Sequence, residues 1–313
     1  MLAFIGFRVL MMIPNVIILT FLLFACVTTF LGTPAAIMLG EEASPEAVAE
    51  LNARLGFDGP LLTRYLRWME NAFSGDFGRS YATQESVGSM IVHALPLTLE
   101  LALWAIVIAF IFAPLMNSFP VLRRTVQSLN SVISLVGITI PNFFLGLLLI
   151  YVLSVELRLL PTTGWAPWSD GVLAHLEHMV MPVLTLTNFY FSTFTLIYVS
   201  EYRAVQSSLF VQVARSKGLS ETRISFRHIL PNSILPLITY AGLSLGQLVG
   251  GAVVVETVFS MPGMGRLLVS AIAARDFPVM LAVGLVIIVG VMVMNLLADL
   301  AYGLVNPTVR TVA

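Results

Sequence analysis

Stretches of about 20 or more mainly apolar residues, separated by polar ones, dominate the pattern of this chain. They run from about Val9 to Leu31, Leu97 to Asn117, Leu129 to Val155, Met179 to Ser200, Ile234 to Val258 and Val279 to Leu304. Such lengths predict membrane-spanning helices, because in hydrocarbon only a helix pairs its backbone groups within one segment. The expected fold class is therefore all-α integral membrane with six transmembrane helices. Arg8 before the first stretch resembles the start of a secretory signal, but the apolar run exceeds the about 7 to 15 residues of such a signal. A retained first helix is expected. Between the first two stretches lies the long polar section Gly32 to Leu95, carrying Glu41, Glu42, Glu46, Glu50, Asp58, Glu70, Asp76 and Glu85. It must lie outside the membrane. Within it, Pro45 to Leu55 and Leu61 to Phe73 have the period of amphipathic helices, the second lying on the membrane surface.

Composition agrees with a lipid environment. Of 313 residues, 58% are hydrophobic and 11% charged, against about a quarter charged in soluble domains. The formal net charge of −1 offers no electrostatic argument for nucleic acid. Cys26, the only cysteine, excludes an intrachain disulfide and a multi-cysteine metal site, and reads as a small hydrophobe. Charge placement says more. Arg8, Arg123, Arg124, Arg203, Arg215, Lys217, Arg223, Arg227 and Arg310 fall on one side of a six-helix arrangement, whereas Arg158, Arg266 and Arg275 occupy the other side's short loops. Basic short loops stay inside, so both termini are expected in the cytoplasm and the acidic section outside. The organisation expected is an N-terminal helix (1–31), an external segment (32–95), a five-helix membrane domain (96–306) with a cytoplasmic region (201–232), and a tail (307–313).

Few residues suggest covalent chemistry. The sequence lacks a Gly-x-x-x-x-Gly-Lys-Ser/Thr loop for nucleotide phosphates. His175-Leu-Glu177-His178 has the wrong spacing for a His-Glu-x-x-His zinc site and reads as an interfacial polar cap before Pro182. Glu100 and Glu256 near the outer ends of helices two and five, and Asp299 near the inner end of helix six, are positioned to reach interfacial water. A secondary carrier, the main alternative class, would be expected to place ionisable groups nearer the midplane. An intramembrane enzyme would need a nucleophile or a metal site.

The most informative polar stretch is Glu201 to Asn232. Gly218 is suited to a left-handed helix end, Ser220 to a following N-cap, and Glu221 to that helix's positive end. A helix, a sharp turn and a second helix are expected, with Arg215, Lys217, Arg223, Arg227 and His228 exposed and Val211, Ala214, Leu219, Ile224 and Leu230 available for packing. By pattern alone this could equally be a basic loop that sets orientation. Gly242, Gly246 and Gly250, with Ser244 and Gln247 nearby, form a small-residue stripe for helix packing, a subunit interface or a pore lining. Pro141, followed by Asn142, and Pro182 predict kinks.

Gln212-Val213-Ala214-x-x-x-Gly218, followed by Leu230-Pro231, resembles the cytoplasmic signature of binding-protein-dependent importer permeases. That signature reads Glu-Ala-Ala, three residues, Gly, nine residues, then Ile-x-Leu-Pro; here Gln212, Val213 and His228 depart from it. The resemblance to the dipeptide, oligopeptide and nickel permeases extends further. It includes Leu55-Gly-Phe-Asp-Gly-Pro60, Tyr65-Leu-Arg-Trp68, Gly75-Asp-Phe-Gly-Arg-Ser80, Leu95-Pro-Leu-Thr-Leu-Glu100, Ile140-Pro-Asn-Phe143 and Leu160-Pro-Thr. Glu256-Thr-Val-Phe-Ser-Met-Pro-Gly-Met-Gly-Arg266, Arg275-Asp-Phe-Pro278 and Asn306-Pro complete it.

The resemblance implies a non-enzymatic permease in a bacterial inner membrane, paired with a second homologous permease. Two ATPase subunits would hold ATP and Mg, with no cofactor or metal on this chain, and an external solute-binding protein would deliver the cargo. It places Gln212, Val213, Ala214, Arg215, Lys217, Gly218, Leu219, Glu221, Leu230 and Pro231 at the ATPase-coupling segment. Short peptides are the expected cargo. Nickel or a metal chelate is the alternative, with Gly78-Arg-Ser-Tyr-Ala-Thr-Gln84 similar to some nickel-type members.

Overall fold

The computed structural model describes residues 2–30, 35, 39, 44–55 and 59–305. Glu41, Glu42, Asp58, Arg310, the Asn306-Pro motif and part of the 55–60 motif lie outside these residues, as do the side chains of Arg123, Arg124 and Asp299. Regular structure among the described residues is helical, apart from one antiparallel bridge between Arg79 and Ser86.

The helices are α1 (Leu2–Phe30), α2 (Pro45–Leu55), α3 (Leu61–Phe73), α4 (Val87–Ser118), α5 (Pro120–Thr139) and α6 (Asn142–Leu149), the last continued by a π-helical stretch, Ile150–Glu156. After a 3-10 turn at Trp168–Asp170 come α7 (Val172–Gln206), α8 (Leu209–Ser216) and α9 (Glu221–Ile224). A second π-helical stretch, Ser225–Ile229, leads into α10 (Leu230–Ser233), then α11 (Leu235–Val258), α12 (Met264–Ala273) and α13 (Phe277–Val305). Among the described residues, four helical spans are long and apolar enough to cross a membrane: Arg8–Thr29, Val87–Ser118, Val172–Gln206 and Phe277–Ala298. Two bent pairs, Val132–Thr139 with Asn142–Glu156 and Glu221–Ser233 with Leu235–Leu248, raise the number to as many as six.

The expected third helix is corrected. It does not run unbroken from Leu129 to Val155; the chain turns by 100° at Ile140–Pro141. The proline ring disfavours helical backbone in the residue before it, and Ile140 is extended (φ −68°, ψ 121°), so the break is a corner rather than a gentle kink. Pro182 behaves otherwise: α7 continues through it, and the residue is buried.

The described residues fall into two compact units. One contains Leu99–Met261 and the part of α13 from Val293 onward. In it α7 packs on α5, α6 and α11. Two asparagines in this bundle find partners: Asn188 donates to the carbonyl of Gly137 (2.8 Å), and Asn130 donates to the side-chain oxygen of the buried Asn117 (2.9 Å).

The other unit contains the described residues of Gly6–Thr98 together with Pro262–Met292. Its core joins Phe24 of α1, Tyr65 and Met69 of α3, Met264 of α12 and Phe277 of α13. The Tyr65 hydroxyl pairs with Thr20 at 2.8 Å, and the Met264 amide donates to the buried Thr98 hydroxyl at 2.8 Å. Those bonds let polar atoms enter an otherwise apolar core without the cost of an unmet partner.

Candidate functional site

The segment from α8 to α10 is built around one turn. Helix α8 ends at Ser216, and Gly218 has φ +77°. The Gly218 amide donates to the carbonyl of Arg215 (2.9 Å) and the Leu219 amide to that of Ala214 (3.3 Å), the paired bonds of a Schellman end. A β-carbon added at Gly218 would meet nothing within 4 Å, so glycine is needed there for backbone conformation rather than for space. Ser220 then caps α9 by accepting from the Arg223 amide, at a long 3.4 Å.

A bidentate ion pair spans the turn. Arg215 donates through Nε to Glu221 Oε1 (2.8 Å) and through Nη2 to Oε2 (3.2 Å). Glu221 raises the pKa of the guanidinium through its hydrogen bonds, but both side chains remain substantially exposed. The pair therefore fixes geometry more than it adds stability.

Beneath the turn, Val211, Ala214, Ile224 and Ile229 are buried with Tyr198 and Tyr202 of α7. Gln212, Val213, Arg215, Lys217, Gly218, Glu221 and Pro231 are exposed, whereas Leu219 and Leu230 are half-buried. The division into buried apolar and exposed basic faces follows the expected pattern for Arg215, Lys217, Arg223 and Arg227, whereas His228, expected to be exposed, is half-buried. Arg223, Arg227, Phe226 and Pro231 line an open depression beside Ser220.

Sequence reasoning missed how this segment is tied to the bundle. The Tyr202 hydroxyl pairs with Ser225 (2.8 Å), Ser225 donates to the carbonyl of Ser118, and the Ser118 hydroxyl pairs with Tyr198 (2.6 Å). The chain of bonds connects the second helical segment to the ends of α4 and α7. Two tyrosines one turn apart at the end of an apolar helix were the available signal.

The glycine stripe divides. A β-carbon at Gly242 would lie 2.5 Å from Cβ of Ala298, so α11 and α13 touch there through backbone. Gly246 is buried, whereas Gly250 is exposed and has open space around it. Pro141 is exposed at the corner between α5 and α6, and Asn142 is half-buried.

Two readings of charged and polar end residues are corrected. His175 is not an interfacial cap: it is fully buried, accepts or donates at Nδ1 with the Ala166 carbonyl (2.8 Å), meets Glu100 at Nε2 (3.0 Å) and stacks on Trp168. Glu100 is thus held by a protein partner as well as being partly exposed. Glu256 has no exposed surface within the chain, contrary to the expectation that it reaches water. A carboxylate near a helix end stays wet only if neighbouring segments leave it uncovered.

The second unit holds another polar assembly that the spacing of residues did not reveal. Asp276 is 3% exposed and accepts from the Ser80 hydroxyl, the Tyr81 amide (3.1 Å) and the Ala82 amide (3.3 Å). Burial, and secondarily the nearby Asp276, raises the pKa of Tyr81. Nearly two hundred residues separate the carboxylate from its donors, so no local pattern could announce the pairing.

These features belong to a chain with close relatives in known transport systems. A protein of Brucella abortus, provisionally named a peptide transport system permease, is 34% identical over 305 residues, covering 97% of each chain. The glutathione transport system permease proteins of Escherichia coli K12 and of Shigella dysenteriae are each 35% identical over 305 residues, again 97% of each chain. The family described as binding-protein-dependent transport system inner membrane component matches residues 105–311, and its N-terminal region matches residues 1–102. Those matches cover both compact units, and the chain belongs to the inner membrane components of binding-protein-dependent transport systems.

Proposed function

We propose that this chain forms part of the translocation path of an ATP-driven importer for short peptides. The observation that carries the cargo class is similarity along nearly the whole chain to permeases named for peptide and glutathione transport. Those names favour peptides over the nickel or metal-chelate alternative. ATP and Mg are assigned to two separate ATPase subunits, a second homologous permease completes the path, and an external binding protein supplies the solute.

The membrane arrangement proposed has six spans: the four long apolar helices, the bent α5–α6 pair and α11. Supporting it are the length and composition of the straight helices and the apolar character of the bent pairs. Both termini lie in the cytoplasm, since Arg203, Arg215, Lys217, Arg223 and Arg227 concentrate positive charge between α7 and α11. The boundaries 1–31, 32–95, 96–306 and 307–313 retain their proposed roles, with 201–232 as the ATPase-facing region.

The Gly218 turn is proposed as the coupling element. Its stiffness supports this role: Gln212 to Leu219 and Glu221 to Pro231 are joined by a Schellman end, a cap and a bidentate ion pair, and anchored through Ser225. A rigid element transmits a displacement that a flexible loop would absorb. ATP binding favours one packing of the bundle and hydrolysis the other, and the loaded binding protein acts only through its different affinity for the two. The Gly242, Gly246 and Gly250 stripe and the Pro141–Asn142 corner are proposed as packing or pathway positions.

Reconstitution of the complete complex into liposomes with labelled dipeptide and glutathione tests the reading. Accumulation should require ATP, the ATPase subunits and the loaded binding protein. Uptake that proceeds without ATP, or transport of nickel but of neither peptide, would contradict it.

A further inference from the structure

Helix α3 forms one side of a cavity of about 240 Å³ in the second unit. Its rim is basic: Arg64 and Arg67 of α3 and Arg79 of the following loop line it, beside Trp68. Its floor is apolar, with Phe24 and Leu281 each 3% exposed. The Arg64 guanidinium carbon lies 5.8 Å from the centroid of the Phe24 ring. Burial lowers the pKa of Arg64, the direction expected of a cation partly removed from water.

The other cations have donors to spare. Arg67 makes no hydrogen bond or ion pair with any described residue, and Arg79 directs Nη1 to the Gln84 carbonyl at 3.3 Å. A guanidinium carries five N–H donors, so this one bond leaves most of the Arg79 fork available. The carboxylate among the lining residues, Asp76, accepts from the Gly78 amide at 2.9 Å. Arg67 and Arg79, two guanidinium groups with donors to spare beside the Asp76 carboxylate, favour the arrival of an additional anion.

The position of the cavity along the spans defines that anion further. Phe24 lies toward the end of the Arg8–Thr29 span, and Leu281 lies near the start of the Phe277–Ala298 span. Both belong to the core cluster against which Trp68 and Tyr81 pack. Tryptophan and tyrosine favour the level where hydrocarbon gives way to headgroups. The cavity therefore brings an apolar floor and a basic rim together at the ends of two membrane spans.

We propose that this cavity binds the phosphate of an anionic membrane phospholipid. Arg67 and Arg79 engage the phosphate oxygens, while the glycerol and the first part of an acyl chain rest on Phe24 and Leu281. Free phosphate shares the charged chemistry but leaves the apolar floor uncovered. The lipid satisfies both surfaces.

The test uses the purified complete complex in phosphatidylcholine nanodiscs, alone or mixed with phosphatidylglycerol. Bound lipid is measured by native mass spectrometry and thermal stability in parallel, with inorganic phosphate in a third arm. The complex should retain phosphatidylglycerol selectively and be stabilised by it. Arg67→Gln should weaken that retention about fivefold, and the combined Arg67→Gln and Arg79→Gln variant about twenty-five-fold, at roughly one fivefold step per arginine near a membrane surface. Arg67 is exposed and has no protein partner among the described residues, so its single variant tests binding without dismantling the fold. Equal retention of the two lipids, or unchanged selectivity in Arg67→Gln, would overturn the proposal. Equal stabilisation by inorganic phosphate would assign the cavity to a soluble anion instead and overturn the lipid assignment.

Discussion

Helices α8 and α12 end in the same turn made by different residues. Gly218 follows α8 with φ +77°, whereas Arg275 follows α12 with φ +53°. The hydrogen bonds match: Gly218 and Leu219 return to Arg215 and Ala214, and Arg275 and Asp276 return to Ile272 and Ala271. Left-handed backbone costs a residue with a β-carbon roughly 1 kcal/mol, which glycine avoids. The residue after each turn explains the difference. Leu219 is only half-buried and the Gly218 turn is exposed, whereas Asp276 is buried and receives bonds from Ser80, Tyr81 and Ala82. The strain at Arg275 is held in place by the assembly it positions, while the Gly218 turn must be favourable by itself.

The largest effect expected from this contrast is at Asp276. Asp276→Ala would remove the acceptor of three donors around a buried site and should destabilise the second unit by about 3 kcal/mol. Limited proteolysis should then open the residue 74–86 loop early, at temperatures where the parent protein resists cleavage. Unchanged melting and cleavage would mean that the carboxylate does not hold the loop.

Environment, not residue type, should also divide the glycine stripe. Gly242→Leu would force a side chain against Ala298 at a cost of about 1–3 kcal/mol, whereas Gly250→Leu meets open space within the chain. Thermal unfolding of the chain should separate them in that order. Equal losses would show that the contact at Gly242 yields easily.

Arg275→Gly sharpens the comparison from the opposite direction. Relief of left-handed strain should add up to about 1 kcal/mol, less the extra chain entropy that glycine brings to the unfolded state. A higher melting temperature with an intact Asp276 network is expected; a clear loss would show that the Arg275 side chain contributes more than its backbone costs. Glu221→Gln should have the smallest effect. The exposed pair with Arg215 is worth no more than about 1 kcal/mol, and its contribution should diminish with added salt. A larger, salt-independent loss would contradict that weighting.

The same contrast explains what was legible in the sequence. Helices α2 and α3 begin and end where their amphipathic period and preceding turn residues place them, at Pro45–Leu55 and Leu61–Phe73. Gly218, Ser220 and the buried face below them likewise follow local rules. Helix α4 was less legible: it starts at Val87, ten residues before the expected Leu97, because tertiary packing carries helix through polar residues and Pro96. Periodicity marked Pro141 but could not distinguish a corner from the uninterrupted passage at Pro182. Asp276 with Ser80, and His175 with Glu100, pair across 196 and 75 positions, beyond the reach of any helix or turn pattern.

Coupling through the Gly218 turn is tested most directly by Gly218→Val in the assembled complex. The site has room for the side chain, so the substitution acts through a left-handed backbone that valine adopts at a cost of roughly 1–2 kcal/mol. ATPase subunit retention, basal hydrolysis, stimulation by the loaded binding protein and peptide uptake are measured on one preparation, with Ser220→Ala as a milder cap variant of about 1 kcal/mol or less. The predicted Gly218→Val complex reaches the membrane but either loses its ATPase subunits or hydrolyses ATP without stimulation and without uptake. Stimulation and uptake at parent levels, with the ATPase subunits retained, would contradict a coupling role for this turn.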